Sequence, residues 1–171
     1  MIFRLSSKLA TKLKVAPSKV LPLDRNPLVD WSAHLFTAER TQFVIVTNTP
    51  SLYSAVFYGR GISDHDQFIK GVLEALREVM QEDGYSRIYK RLIATASGSM
   101  YFSKALNRSV TGSMNDMIVH AKWWLAEGKF SPHETALKLN DIPFSSLDYQ
   151  NPREVFRSLS IEKAERNGLA G

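Results

Sequence analysis

Thr41-Gln-Phe-Val-Ile-Val-Thr47 decides the fold. The segment is β-branched or aromatic and apolar through its middle, and too short for a stable helix. Residues of that kind fit a pleated surface buried on both sides, so the segment reads as a central strand. Just upstream, Asp30–Ala38 alternates Trp31, Ala33 and Leu35 against Ser32 and His34, the pattern of a second strand. Just downstream, Asn48-Thr-Pro-Ser turns the chain into Leu52–Tyr58, a third. Three successive strands with short connections predict an antiparallel meander.

The flanks supply the rest. Ile2–Ser6 reads as a short strand and Lys8–Lys14 as a short helix, with Ser7 as its cap and Leu9 and Leu13 on one face. Three prolines make Val15–Pro27 a loop. Asp64–Asp83 carries Phe68, Ile69, Val72, Leu73, Leu76, Val79 and Met80 on one helical face, with Asp64 to cap its start and Gly84 to end it. Arg91–Ala96 looks like a fifth strand, and Ser113–Glu127 like a helix stopped by Gly128. Ser131-Pro-His-Glu134 is a capping box with proline in the first helical position, and Asn151-Pro-Arg-Glu154 repeats that grammar. The polar residues 160–171 are expected to fray. The order β-α-β-β-β-α-β-α-α predicts one α+β domain over residues 1–159, built on a single antiparallel sheet of about five strands.

At 171 residues and 44% apolar content, the chain can bury one proper core. It has no cysteine, which rules out disulfides and thiolate chemistry and fits a reducing compartment. No apolar run reaches the roughly 18 residues that span a bilayer. The expectation is therefore a soluble cytoplasmic protein without a membrane partner.

The formal charge of +5 is unevenly placed. Residues 1–25 hold Arg4, Lys8, Lys12, Lys14, Lys19 and Arg25 against Asp24 alone. Residues 84–115 hold Arg87, Lys90, Arg91, Lys104 and Arg108 and no acid. A basic, acid-poor N-terminus also has the composition of a mitochondrial presequence, but Met1–Ser6 alternates as a strand does. Basic segments of this kind are either solvated faces or contacts for an anionic partner. Tyr85, Tyr89, Tyr101 and Phe102 interleave the second segment. Aromatics stack on bases while cations meet phosphates, so Lys8, Lys12, Arg87, Lys90, Arg91 and Lys104 are candidates for single-stranded nucleic acid.

Asn107-Arg108-Ser109-Val110-Thr111-Gly112-Ser113-Met114-Asn115-Asp116 is the densest polar run. Gly112 permits a tight turn, and Ser113 precedes Asp116 by the spacing of a capping box. Those roles leave Asn107, Arg108, Ser109 and Asn115 without a structural duty. Arg108 can grip a phosphate or carboxylate with two N–H groups, beside free amides at a helix start. Asn107, Arg108, Ser109, Ser113 and Asn115 are thus candidate ligand-binding residues. Asp116 and His120 share a helix face and form a weak acid/base pair for an enzymatic reading. Asp64-His65-Asp66 resembles metal ligands only on paper, since neighbours at a helix start diverge, and no metal or cofactor is expected. His34 and His133 carry no signal alone. No P-loop, Gly-x-Ser-x-Gly or dinucleotide fingerprint is present.

Met1-Ile-Phe-Arg, Asp30-Trp31-Ser32-Ala33-His34-Leu35, Phe43-Val44-Ile45-Val46-Thr47-Asn48 and the 107–116 run resemble a family of small prokaryotic proteins, the DUF6933-like domain of unknown function. The resemblance covers about residues 1–157. It implies a domain boundary and a bacterial origin, and no activity. Members often carry Tyr-Ala-Asn where this chain has Ser32-Ala33-His34, so it implies no shared role for position 34. The leading expectation is non-enzymatic binding of an anionic partner, nucleic acid first, through segments 1–25 and 84–115. The alternatives are an enzyme sited at Asn107–Asp116 and a protein-interaction module signalled by Trp123, Phe130 or other aromatics exposed in one patch; Trp123 and Trp124 cannot both face one core, so one of them is a candidate.

Overall fold

The computed structural model describes residues 1–166, with side chains described through Glu162. The strand that the sequence marks first is an interior strand of its sheet. β3 (Thr41–Asn48) pairs antiparallel with β2 (Asp30–Ala38) on one side and β4 (Ser54–Tyr58) on the other. Phe43 through Asn48 are buried on both faces, as a central strand of apolar residues requires.

The sheet is mixed, which corrects the expectation of an antiparallel one. Its order is β4-β3-β2-β1-β5, with β1 (Ile2–Leu5) parallel to both β2 and β5 (Tyr101–Lys104). The reason is the connection. α1 (Ser7–Leu13) and the proline-rich loop behind it form a crossover that returns the chain to the same end of the sheet, as a hairpin cannot.

Two further assignments change. Residues 91–96 are helical, not a strand: they belong to α3 (residues 86–96), an α-turn, a π-helical stretch Tyr89–Ile93 and a second α-turn. An apolar run of six fits either period, and packing decides. Here Ile93 is fully buried, and Tyr89 donates its hydroxyl to the Leu73 carbonyl at 2.9 Å. The fifth strand is Tyr101–Lys104 instead. α4 (Arg108–Leu125) starts five residues before Ser113, because Asn107 caps it, its Oδ1 accepting from Val110 N at 3.0 Å. Likewise Ser6, not Ser7, caps α1.

The other caps stand where expected. Asp64 caps α2 (His65–Glu82), and Gly84 follows it at φ 78°. Ser131 and Glu134 form the reciprocal box that starts α5 (Pro132–Leu139). Asn151 caps α6 (Pro152–Arg166) through Glu154 N. α6 carries helix through residues 160–166. The remainder of the expected fraying tail, from Asn167 on, lies outside the described residues.

Helices cover both faces. Phe3 and Phe102 meet Phe68 of α2 with ring centroids 5.4 and 6.5 Å apart. Trp31, on the same face, meets Phe156 of α6, which stacks on Tyr53 at 4.5 Å. The opposite face, carrying Thr47 and Ser54, is covered by α4 and α5, where Met117 Sδ lies 3.9 Å from Ser54 Oγ. Among the described residues no helix is long and apolar enough to cross a membrane.

Arg4 binds the middle of the sheet to the loop. It is 1% exposed. Its guanidinium donates to both Asp30 carboxylate oxygens at 2.8 Å, to the Leu21 and Pro22 carbonyls, and to Ser103 Oγ on β5. The loop in turn closes the β5 edge, with Lys104 N donating to Lys19 O at 3.1 Å.

Candidate functional site

The polar decapeptide dissolves into a helix. Asn107 caps it. Gly112 sits inside it with nothing near its Cβ direction, so the glycine makes no turn. Ser113 is buried and shares a 2.9 Å hydrogen bond with Ser146, so it starts no capping box with Asp116. Arg108 and Ser109 are exposed in the first helical turn with no side-chain partner among the described residues. Thr111 and Asn115 each face a hollow. Asp116 and His120 are exposed and not bonded to each other; His120 lies over Trp124 at 5.9 Å.

The two basic segments are joined along β1 and β5 and by the loop at Lys19 and Leu21, but their cations divide between the two ends of the sheet. α3, with Arg87, Lys90 and Arg91 exposed on it, packs against Pro27–Val29, which leads into the amino end of β2. Lys8 and Lys104 lie at the other end, Lys8 just past the carboxyl end of β1 and Lys104 as the last residue of β5. Lys12 is half-buried and donates to Gln42 Oε1 at 2.9 Å. The aromatic interleaving is mostly spent on packing. Tyr85 joins the cluster of Tyr53 and Phe156, Tyr89 is tied to Leu73, and Phe102 packs on Phe3 and Phe68. Of the four rings, Tyr101 alone is largely exposed, at 59%.

The end that gathers Lys8 and Lys104 has the geometry of a site. β1 stops at Leu5, opposite Ala33, while β2 runs on to Ala38. The second half of β2 therefore has no strand on that side. α1 leaves β1 toward the face of Val44, where Lys12 reaches Gln42, and α4 leaves the β5 end toward the opposite face. Adjacent parallel strands whose helices part to opposite faces open a crevice at their carboxyl ends, the place where α/β sheets hold ligands.

The crevice has two arms of about 510 and 490 Å³ that share Ser6, Ser7 and His34. One arm runs past Lys8 to Asn115, Ile118 and Lys122 of α4, which recur on one helix face. The other runs past Lys104 and Thr111. No acid lines either arm. His34 stands between them, 8% exposed, and no protein hydrogen bond engages its ring. Burial holds its pKa below the usual 6.5, so at pH 7 the ring is neutral, one nitrogen a donor and the other an acceptor.

His34, Lys122 and Thr111 are residues that sequence reasoning passed over. The signal available was a polar pair, Ser32 and His34, on the alternate face of a strand whose other side chains are needed for the core. A family model, Domain of unknown function (DUF6933), matches residues 2–155, nearly the whole described chain. The chain belongs to the DUF6933 family. That range takes in β1, β2, β5 and α4, so the crevice lies wholly within the DUF6933 domain. Among curated proteins and solved structures, none matches the chain. Among the described residues no cluster of histidine and acidic side chains could hold a metal, and Asp64, His65 and Asp66 stay a helix start.

Proposed function

We propose that this protein binds a small anionic ligand, a phosphate- or carboxylate-bearing molecule, in the crevice around His34. One observation carries the reading. Three lysines from three separate elements, Lys8, Lys104 and Lys122, border one acid-free hollow that encloses a buried, unpaired imidazole. The ring nitrogens of His34 are not among the buried unpartnered atoms, so they open onto the hollow and offer a ligand one donor and one acceptor. Arms near 500 Å³ each suit a small molecule rather than a duplex. Binding in a cysteine-free protein of this kind fits a bacterial cytoplasm.

The sequence pointed first to nucleic acid. Arg87, Lys90, Arg91 and Tyr101 remain available for that role, apart from the crevice. The anion instead meets Lys8, Lys104, Asn115 and His34, a residue that carries no signal in the sequence alone. No acid/base constellation accompanies them, so binding without catalysis is the proposal.

Calorimetric titration with inorganic phosphate, pyrophosphate, citrate, adenosine monophosphate and a twelve-nucleotide single strand tests it. A small anion should bind saturably and weaken about tenfold in Lys104→Ala and in Lys8→Ala, since a charge-assisted hydrogen bond is worth about 1.5 kcal/mol. Arg87→Ala should leave that binding unchanged. Saturable binding of the oligonucleotide alone, lost in Arg87→Ala, would transfer the function to α3. Binding of none of the probes at millimolar concentration would sink both readings.

A further inference from the structure

The other edge of the sheet carries a second, chemically opposite feature. In the β3–β4 ladder, Asn48 N donates to Tyr53 O and Gly59 N donates to Gln42 O. The bonded pairs are therefore 48/53, 46/55, 44/57 and 42/59 in this register. The backbone groups of Ser54, Val56 and Tyr58 must then point away from β3, off the edge. At Ser54 the direction is visible, because the Asn140 side chain bonds both its N–H and its carbonyl, at 2.7 and 3.0 Å. An amide side chain thus stands in for a neighbouring strand at that residue. Val56 and Tyr58 have no such substitute among the described residues, although Val56 is only 3% exposed.

A groove lies beside them. A hollow of about 440 Å³ has Val56, Ile62, Ala75, Val79 and Pro132 as an apolar floor. It continues past Glu78 and His133 toward Glu82. Glu74, Glu78 and Glu82 recur every four residues along α2 and so form one wall. None of the three has an ion-pair partner among the described residues, and Lys70 is the lysine at the far end. The opposite edge of the sheet, at β5, is instead closed by the Lys19 carbonyl.

We propose that this groove docks an extended, basic peptide segment of a partner, which adds a short strand to β4 at Val56–Tyr58 and lays lysine or arginine side chains against Glu74, Glu78 and Glu82. Main-chain hydrogen bonds supply the register, and alternate side chains meet the floor and the acidic wall. Charge selects this occupant over a second copy. Two β4 edges paired antiparallel about a two-fold axis would set the glutamates of both copies against each other. A glutamate wall can also merely discourage indiscriminate pairing at a bare edge, and that role is indifferent to the sequence of an incoming peptide.

An array of capped nonapeptides tests this, with lysine or arginine at alternate positions and apolar residues between, read by fluorescence polarisation against the full chain. The best binder should lose about tenfold or more in Glu74→Lys/Glu78→Lys. Proline replacing its central residue, which removes a main-chain donor, should also weaken it. Exchange of the Val56 or Tyr58 amide should slow on binding. The wall residues are exposed, so the double variant should fold, and unchanged circular dichroism would show that it does. No binding from any basic member, equal binding by glutamate-for-lysine peptides, or unaltered amide exchange would overturn the proposal. So would a concentration-dependent dimer in sedimentation that excludes the peptide, which would assign the edge to a second copy. Lys8→Ala and Lys104→Ala, which test the crevice at the other end of the sheet, should not affect it.

Discussion

Replacing Asp30 by alanine should be among the most damaging single changes in this protein. Asp30 and Arg4 are both fully buried as side chains. The carboxylate takes two guanidinium hydrogen bonds at 2.8 Å and one from Asp24 N at 3.0 Å. Removing it leaves a guanidinium without its counter-charge in a place water does not reach, a change that costs about 3–5 kcal/mol. The stranded Asp24 amide adds about 1 kcal/mol. Domains of this kind have only about 5–15 kcal/mol in all. At roughly 3 °C per kcal/mol for a chain of this length, the midpoint of thermal unfolding should drop by about 12–18 °C. The double variant Arg4→Met/Asp30→Leu should recover much of that, because an apolar pair carries no desolvation debt. It still forfeits the bonds to Leu21 O, Pro22 O and Ser103 Oγ, so a residual loss of about 1–2 kcal/mol should remain. Urea unfolding followed by tryptophan fluorescence gives all the values of the cycle. An Asp30→Ala loss below about 1 kcal/mol, or a double variant that loses the sum of the two singles, would refute the account of a coupled buried pair.

Asn140→Ala should cost about 2–4 kcal/mol in urea unfolding, because it strips both partners from the buried Ser54 backbone; a loss within error would mean that water takes its place. His34 gives a pH test. Its folded pKa lies below the unfolded 6.5, so the unfolded chain takes up the proton first and stability falls as pH drops below about 6.5. His34→Gln should flatten that decline, and should also abolish the tightening of anion binding expected between pH 7.5 and 5.5, where a protonated His34 adds to Lys8, Lys104 and Lys122. Tyr53, buried and donating to Asp83 at 2.6 Å, has its pKa raised by burial first and then by Asp83, so its contribution is complete below pH 10 and is lost above it. Tyr53→Phe should cost about 1 kcal/mol at pH 7 and show a smaller alkaline decline than the wild type in denaturation at pH 9 to 11. Asn107→Ala should lower stability by about 1 kcal/mol through the lost cap and leave anion affinity untouched; a clear loss of affinity would return the site to the decapeptide.

Local grammar was legible and long-range pairing was not. The meander and the caps at Asp64, Ser131 and Asn151 follow from alternation, turn chemistry and cap spacing, which are written in adjacent residues. The parallel pairs of β1 depend on Tyr101–Lys104, a four-residue strand with no periodicity long enough to notice. Residues 91–96 misled because β-branching favours strands, while Tyr89 and Ile93 gain more from packing as a helix. The decapeptide misled in the same way. Ser109, Thr111 and Gly112 are poor helix formers, yet Met114, Met117, Ala121 and Leu125 bury one face of α4 and carry the helix back to Asn107. The candidate site shows the cost of reading segments singly. Lys8, Lys104 and Asn115 were each marked, but His34, which joins them, has meaning only when β1 is known to stop one residue short of it.

β1 also sets the order of events when this chain is made. Of the five strands of this sheet it leaves the ribosome before the others, but its pairing partners arrive far apart: β2 about 28 residues later, β5 about 99 residues later. The meander β2–β4 can form on its own local contacts as it emerges. β1 must then wait, one edge bare, until α2 and α3 have been synthesised and residue 104 is free. Arg4 waits with it, for Asp30 soon and Ser103 only at the end. The slow step of folding should therefore be the docking of β5, and a nascent chain halted before residue 101 should expose the edge of β1 to any chaperone that reads unpaired strands.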